Sequence, residues 1–484
     1  MTPKSLPPAS PADSNAQTPF ADALLRVTSV GMASLHTLPV SGGRSITESA
    51  LRDKYHALFG EAYLTADTSV SGAVLDSFFR PKSSLSAAQQ LAAKAFGADS
   101  TLFLTCGTTL ANTVAIRAMS AVSAGTGGHP IRVLADRTAH QSIHFFLDQA
   151  GIDVTYSGQK HCCDQYCFTW PDIDDLIESF REAAQKGRPF DFVVLSAAGY
   201  DGAALDIAAV LTELLRHTDT LNVVVDEAWS AINVFHPRLR ESTALVSAQR
   251  VRASSPGKRL RMIVTHSAHK SMSALRQGSY LHTSGGPEVA QAASDSLYRH
   301  HTTSPSLPIL ASLDLARAQA EVDGAALVDR SLGLARELRR VVAEDEQLAG
   351  FTIAAPPGDG DRWIIPDPTK VLVRADPGLI QAGELRVRLA RDYGLYVARV
   401  AGQAILVNLH IGVTADVFHK MLTALRQISR SASAMESMLA GQHDKGFLIA
   451  YPPGIPLRVP GQELRVDERL LAALSGNGVE LFTA

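Results

Sequence analysis

Short apolar runs recur along this chain, each closing on a polar residue and separated from the next by a stretch of helical periodicity. Residues 101–105, 131–136, 192–196, 221–226 and 262–264 read as strands, and continuous apolar runs of this length suit strands covered on both faces. Residues 84–96 form an amphipathic pattern, with serine to cap it and Gly97 to stop it. Helical patterns follow over 110–120 and 206–215, and a shorter one precedes them at 47–59. Strands alternating with helices predict an α/β fold with a mostly parallel sheet. Ligands of such sheets gather at the carboxyl ends of the strands.

Farther along, helices are expected over 307–322 and 332–346. The stretch Ala355-Pro-Pro-Gly-Asp-Gly-Asp361 then reads as a domain boundary. Strands at 370–374 and 404–409, with helices at 383–393 and 414–428, predict a smaller α+β C-terminal domain. The expected division is a leader over 1–20, an N-terminal segment over 21–85, a large domain over 86–350 and a small domain over 351–484. No internal repeat is evident.

Composition narrows the function classes. The 484 residues hold 45 Lys and Arg against 48 Asp and Glu, which gives no basic excess for nucleic acid and no charged tail. No apolar run approaches membrane-spanning length. The opening residues, rich in Pro and Ser, lack the apolar segment of a secretory signal, so a cytoplasmic protein with a disordered leader is expected. Four cysteines in such a chain point to a reducing compartment. Three of them cluster in His161-Cys-Cys-Asp-Gln-Tyr-Cys167. The second ligand pair of a structural zinc site is missing there, so free thiols and no metal are expected.

The chemistry centres on Lys270, which follows the strand at 262–264 and stands between His269 and Ser271, with Ser267 three residues before it. A lysine so placed can lose its proton and form a Schiff base, although most lysines beside strands are simply solvated. The strand at 221–226 ends on Asp226, which can pair with a protonated pyridine nitrogen or merely cap a helix. The strand at 101–105 runs into Cys106-Gly-Thr-Thr109 and then a helix. Free N–H groups and the helix dipole make such a turn an anion site, or an ordinary N-cap.

Taken in order, these motifs resemble the Orn/Lys/Arg decarboxylase family, pyridoxal-phosphate enzymes of the aspartate-aminotransferase-like fold (fold type I). Ser267-Ala-His-Lys270 is similar to the family's Ser-x-His-Lys, and Asp226-Glu-Ala-Trp229 to its Asp-x-Ala-(His/Trp). The remaining matches are Phe103-Leu-Thr-Cys-Gly-Thr-Thr-Leu-Ala-Asn112, Asp136-Arg-Thr-Ala-His-Gln-Ser142, Tyr200-Asp-Gly202, His301-Thr-Thr-Ser-Pro305 and Ala450-Tyr-Pro-Pro-Gly-Ile-Pro-Leu457.

The resemblance implies a large domain with a mostly parallel seven-stranded sheet, without the receiver-like domain that opens larger members. It implies pyridoxal 5'-phosphate as cofactor and an amino acid as small-molecule substrate. It assigns Lys270, His269, Asp226 and His140 to catalysis, with His140 stacked on the pyridine ring. Gly107, Thr108, Thr109, Ser267, Ala228 and Trp229 join those four in binding the cofactor. A homodimer or higher homo-oligomer with shared sites is implied as well, with Thr303 and Ser304 reaching a neighbour's phosphate, or else acting as helix caps.

Departures from the family's pattern bear on the substrate. Val40 stands where a histidine is usual, Gln462 and Ala398 where glutamates are, and His266 where glutamine is common. Acids suit a substrate with a cationic end, so their loss favours a less basic or differently placed amine, although Glu463 could substitute. The expected activity is decarboxylation of an ornithine-, lysine- or arginine-like amino acid, or of an altered substrate. The alternatives are oxidative deamination or transamination on the same scaffold, and a non-catalytic homologue.

Overall fold

The structure, a computed structural model, describes residues 16–32, 35–70, 72, 74–123, 130–161, 169–440, 448–451, 455–458 and 480–483, with side chains to residue 430. The cysteines at 162, 163 and 167, the proline-loop residues 452–454, and Gln462 and Glu463 lie outside the described residues. The chain divides into two compact units. The first holds residues 1–160, 170–329 and 360–365, and the second residues 161–169, 330–359 and 366–484. The division falls inside one helix, and the stretch around 360 is a return of the chain to the first unit.

The first unit is built on a seven-stranded sheet. Its strands are β1 (Ser100–Leu104), β2 (Arg132–Ala135), β3 (Asp153–Tyr156), β4 (Phe192–Ser196), β5 (Thr220–Asp226), β6 (Arg259–His266) and β7 (Ser279–Ser284). Their order is β1-β7-β6-β5-β4-β2-β3, and only β7 runs against the rest. The carboxyl ends of β1, β2, β4, β5 and β6 therefore share one edge of the sheet.

Burial explains why these runs are strands. Val133, Val194, Val224, Ile263 and Leu281, from five adjoining strands, are fully buried against Val114, Ala115 and Met119 of the helix Gly107–Ser123 and Val289 and Ala293 of the helix Pro287–His300. Each such aliphatic side chain contributes about 1.5–3 kcal/mol.

Two expected helices take unexpected ends. The helix at Ser84–Phe96 stops at Gly97, whose φ of +74° is the left-handed conformation expected of a C-terminal glycine. Its N-terminus, however, is not capped by serine. The Asp76 carboxylate accepts the N–H groups of Lys82, Ser83 and Leu85 at 2.9–3.0 Å. Burial alone would raise the Asp76 pKa, yet these backbone donors lower it below the ordinary value. The pattern at 47–59 is instead a helix over Arg52–Ala66, broken at Gly60, after a 3₁₀ turn at Ser41–Ile46.

The second unit carries β8 (Phe351–Ile353), β9 (Lys370–Ala375), β10 (Arg399–Ala401) and β11 (Ala404–Asn408), an antiparallel sheet in the order β8-β9-β11-β10. Val373, Ile405 and Phe351 pack with Leu385 and Leu389 of the helix Ala382–Tyr393 and with Leu425 and Ile428. Among the described residues no helix is long and apolar enough to cross a membrane.

Candidate active site

A cavity of about 460 Å³ opens at the shared carboxyl edge of the seven-stranded sheet. All ten residues assigned from sequence to catalysis or cofactor binding line it: Gly107, Thr108, Thr109, His140, Asp226, Ala228, Trp229, Ser267, His269 and Lys270. Asn112, Thr138, Ser196, Tyr200, Arg276 and Gln277 also line it, and sequence reasoning did not single them out as site residues. Asn112 carried a readable signal, because it lies one helical turn after Thr108. Thr303 and Ser304 are exposed and do not line it.

The wall at the end of β1 is a strand–turn–helix. Gly107 takes φ +73°, turning the chain so that the helix Gly107–Ser123 opens toward the cavity. Its first N–H groups lack intrahelical acceptors and the dipole adds about half a positive charge, so the end suits an anion. The Thr108 hydroxyl hydrogen-bonds the Ser267 hydroxyl, which joins this turn to the end of β6.

Asp226, at the end of β5, is held on both oxygens. The Ala228 N–H donates to Oδ1 at 3.0 Å and the Asn112 amide to Oδ2 at 2.9 Å. Asn112 is oriented in turn by the Thr265 hydroxyl, which donates to its Oδ1 at 2.7 Å. Behind it, Asp136 is fully buried, and its carboxylate accepts from the Thr138 N–H and hydroxyl and from the Ser196 N–H. Burial, with a smaller push from the Asp226 charge, raises the Asp136 pKa to about 6 against those hydrogen bonds.

Lys270 lies in the helical turn Ala268–Ser271 after β6, with its Nζ 4.2 Å from the centre of the Trp229 ring. Burial lowers its pKa, the Asp226 charge opposing, so the neutral amine is easier to reach than on an exposed lysine. Tyr200 packs edge-on against Trp229 at 5.0 Å. His269 pairs through Nδ1 with the Gly278 carbonyl at 3.1 Å, and burial lowers its pKa, helped by the charges of Lys270 and Arg276. His140 caps the helix Gln141–Gln149; its Nδ1 accepts the Ser142 N–H at 3.2 Å, which leaves the ring proton on Nε2.

The arrangement fits a phosphorylated pyridine aldehyde. It offers a helix-terminal cradle for the phosphate, an oriented carboxylate for the ring nitrogen, and an amine with a lowered pKa for the aldehyde.

Comparison with known proteins agrees. The family model for the major domain of Orn/Lys/Arg decarboxylases matches residues 18–388. The chain is 27% identical over 469 residues to the lysine decarboxylase LdcA of Pseudomonas aeruginosa, which covers 86% of this chain but only 60% of that protein. It is 26% identical over 455 residues to an arginine decarboxylase of Bacillus anthracis, with 86% and 85% covered. The solved structure of lysine decarboxylase A from P. aeruginosa superimposes with a TM-score of 0.72 at 22% identity, over 95% of this chain and 76% of that one. That likeness establishes the shared fold. With the motifs, the cavity and the family match in agreement, the chain belongs to the Orn/Lys/Arg decarboxylase family, pyridoxal-phosphate-dependent carboxy-lyases of fold type I.

Proposed function

We propose that this protein releases carbon dioxide from an amino acid to leave an amine, with Lys270, Asp226, His140 and His269 as its working side chains. The observation that carries the reading is the placement of Lys270 and Asp226 on one cavity with the Gly107–Thr109 turn. When bound, pyridoxal phosphate supplies the electron sink that accepts the pair left by departing carbon dioxide. Thr108 and Thr109 would hold its phosphate through backbone N–H groups and hydroxyls, Gly107 would turn the chain to present them, and Ser267 would add a further hydroxyl. Asp226 holds the proton on the ring nitrogen, and the Asn112 amide and Ala228 N–H keep its carboxylate in place for that task. His140 would stack on the ring, and Ala228 and Trp229, on the same cavity wall, would bound the space around it.

Lys270 would hold the cofactor through its amine, and its lowered pKa eases the gain and loss of a proton at Nζ. His269 or Lys270 returns a proton to the α-carbon. A neutral His269 is not itself a strong acid, so its part lies in positioning or in relaying a proton received from solvent.

The substrate is read as a basic amino acid of the ornithine, lysine or arginine type or a less basic relative. Asp226 is the one carboxylate lining the cavity among the described residues, and it is already engaged. A cytoplasmic homodimer completes the proposal. Supporting it are the low cysteine content and the exposed apolar side chains Leu25, Val30, Leu35, Leu51, Leu58 and Phe59 in the N-terminal segment.

The test incubates the purified protein with a panel of amino acids, following carbon dioxide, ammonia and hydrogen peroxide together, with Lys270→Ala as control. Carbon dioxide alone, lost in the variant, is the expected result. Ammonia or peroxide from the wild type would replace decarboxylation with deamination or oxidation. Cofactor binding without turnover of any amino acid would favour the non-catalytic reading.

A further inference from the structure

The loop between Lys270 and β7 brings to the cavity a cation that the roles above leave unused. Arg276 lines the cavity, and among the described residues it has no hydrogen-bond or ion-pair partner. Lys270 is the other lysine or arginine on the wall, and it is committed to the aldehyde. The Arg276 charge reaches the site, since it helps hold the His269 pKa down.

The backbone around Arg276 ties it to the phosphate cradle. The Gln277 carbonyl accepts the Gly107 N–H at 2.9 Å, joining this loop to the turn that opens the helix Gly107–Ser123. Gln277 itself takes φ +74°, a left-handed conformation that is strained for a non-glycine residue. The turn closes through the Gly278 N–H, which donates to the Leu275 carbonyl at 3.0 Å. A side chain at Gly278 would meet that carbonyl at 3.0 Å and Leu313 at 3.1 Å, so the loop has little freedom to move away from the cradle.

We propose that Arg276 is a phosphate ligand of the cofactor, adding a full positive charge to a cradle otherwise made of neutral donors. The inference rests on the reading of Gly107–Thr109 as that cradle. A phosphate ester carries close to two negative charges at neutral pH. N–H groups, three hydroxyls and a helix terminus worth about half a charge leave most of that uncompensated. A guanidinium meets phosphate through two parallel hydrogen bonds. The scissile carboxylate of the substrate is the poorer partner. It loses its charge as carbon dioxide leaves, so an arginine on it would stabilise the ground state more than the transition state.

The experiment strips the holoenzyme of cofactor and titrates it with pyridoxal phosphate and, separately, with pyridoxal, following absorbance. Wild type, Arg276→Ala and Arg276→Lys are compared. The expected result is pyridoxal phosphate binding weakened about 10- to 100-fold in R276A, partly recovered in R276K, with pyridoxal affinity unchanged. Undiminished affinity for pyridoxal phosphate in R276A overturns the proposal, and a raised KM for the amino acid alongside it would assign the arginine to the substrate carboxylate instead. Equal weakening toward both ligands also overturns it, because the effect would then not belong to the phosphate. The underlying readings fail separately: a wild type that binds both ligands equally has no phosphate cradle, and one that prefers pyridoxal phosphate but releases no carbon dioxide is not a decarboxylase.

Discussion

The Asn112 side-chain amide donates to the Asp226 carboxylate at 2.9 Å, while the Thr265 hydroxyl donates to the Asn112 oxygen at 2.7 Å. Thr265 and Asn112 together turn one face of Asp226 into a fixed acceptor, and all three are buried. Replacing Asn112 by Ala removes the donor and leaves the Thr265 hydroxyl without its acceptor. Loss of a hydrogen bond to a charged group is worth about 1.5–3 kcal/mol, so kcat is expected to fall about 10- to 100-fold. Pyridoxal phosphate affinity is expected to change far less, because the cradle is untouched. Wild-type kcat in Asn112→Ala would show that Asp226 holds its orientation without this partner.

Thr108 and Ser267 share a hydrogen bond across the cradle. Thr108→Val and Ser267→Ala are each expected to weaken pyridoxal phosphate binding by about tenfold, as a lost hydrogen bond to an anion would. The double variant is expected to lose less than the sum of the two, since each single change already breaks the shared contact. Strict additivity in a titration of the four proteins would mean that the hydroxyls act independently.

Much of the site was legible because its residues stand at strand ends in a fixed order, and a parallel sheet collects strand ends. What escaped the sequence depends on contacts between distant segments. Asp76 caps the helix at Ser84–Phe96 from outside it, so no local pattern reveals the cap. The expected gap between helices over 307–322 and 332–346 does not occur, and one helix runs over Leu307–Glu344. Gly324 reads as a breaker by propensity, yet its role is packing: a Cβ there would lie 2.9 Å from the Cβ of Phe235. A buried chain links Glu227 to His266 at 2.8 Å, His266 to His282 at 3.1 Å and His282 to Thr101 at 2.8 Å, across four neighbouring strands. It includes His266, which stands where glutamine is common in the family. Its pairing depends on strand order, which local sequence does not display.

The Gly324 contact yields its own prediction. On an open helix surface Gly→Ala stabilises by about 1 kcal/mol. Here the added methyl must displace Phe235, which also packs edge-on against Phe96 at 5.2 Å. Overpacking of this kind costs about 1–3 kcal/mol, so Gly324→Ala is expected to lower stability in urea unfolding despite the gain in propensity. A variant more stable than wild type would show that the Phe235 side chain yields freely.

Asp136 makes the stability of the protein depend on pH in a direction opposite to most carboxylates. Its pKa is raised by burial from the ordinary 3.8 to about 6, so between those values the folded protein holds a proton that the unfolded chain has released. Stability from this group is fully present below pH 3.8 and is lost as pH rises through about 6. That interval corresponds to about 3 kcal/mol. Asp136→Asn removes the titration and keeps an acceptor oxygen for the two Thr138 donors, while its amide nitrogen cannot accept the Ser196 N–H, a cost that does not vary with pH. The stability of wild type minus that of the variant is therefore expected to fall between pH 4 and pH 6 and to stay level above. Urea unfolding of both proteins across that range reads it directly. A difference independent of pH would place the Asp136 pKa at its ordinary value, with the three donors balancing burial.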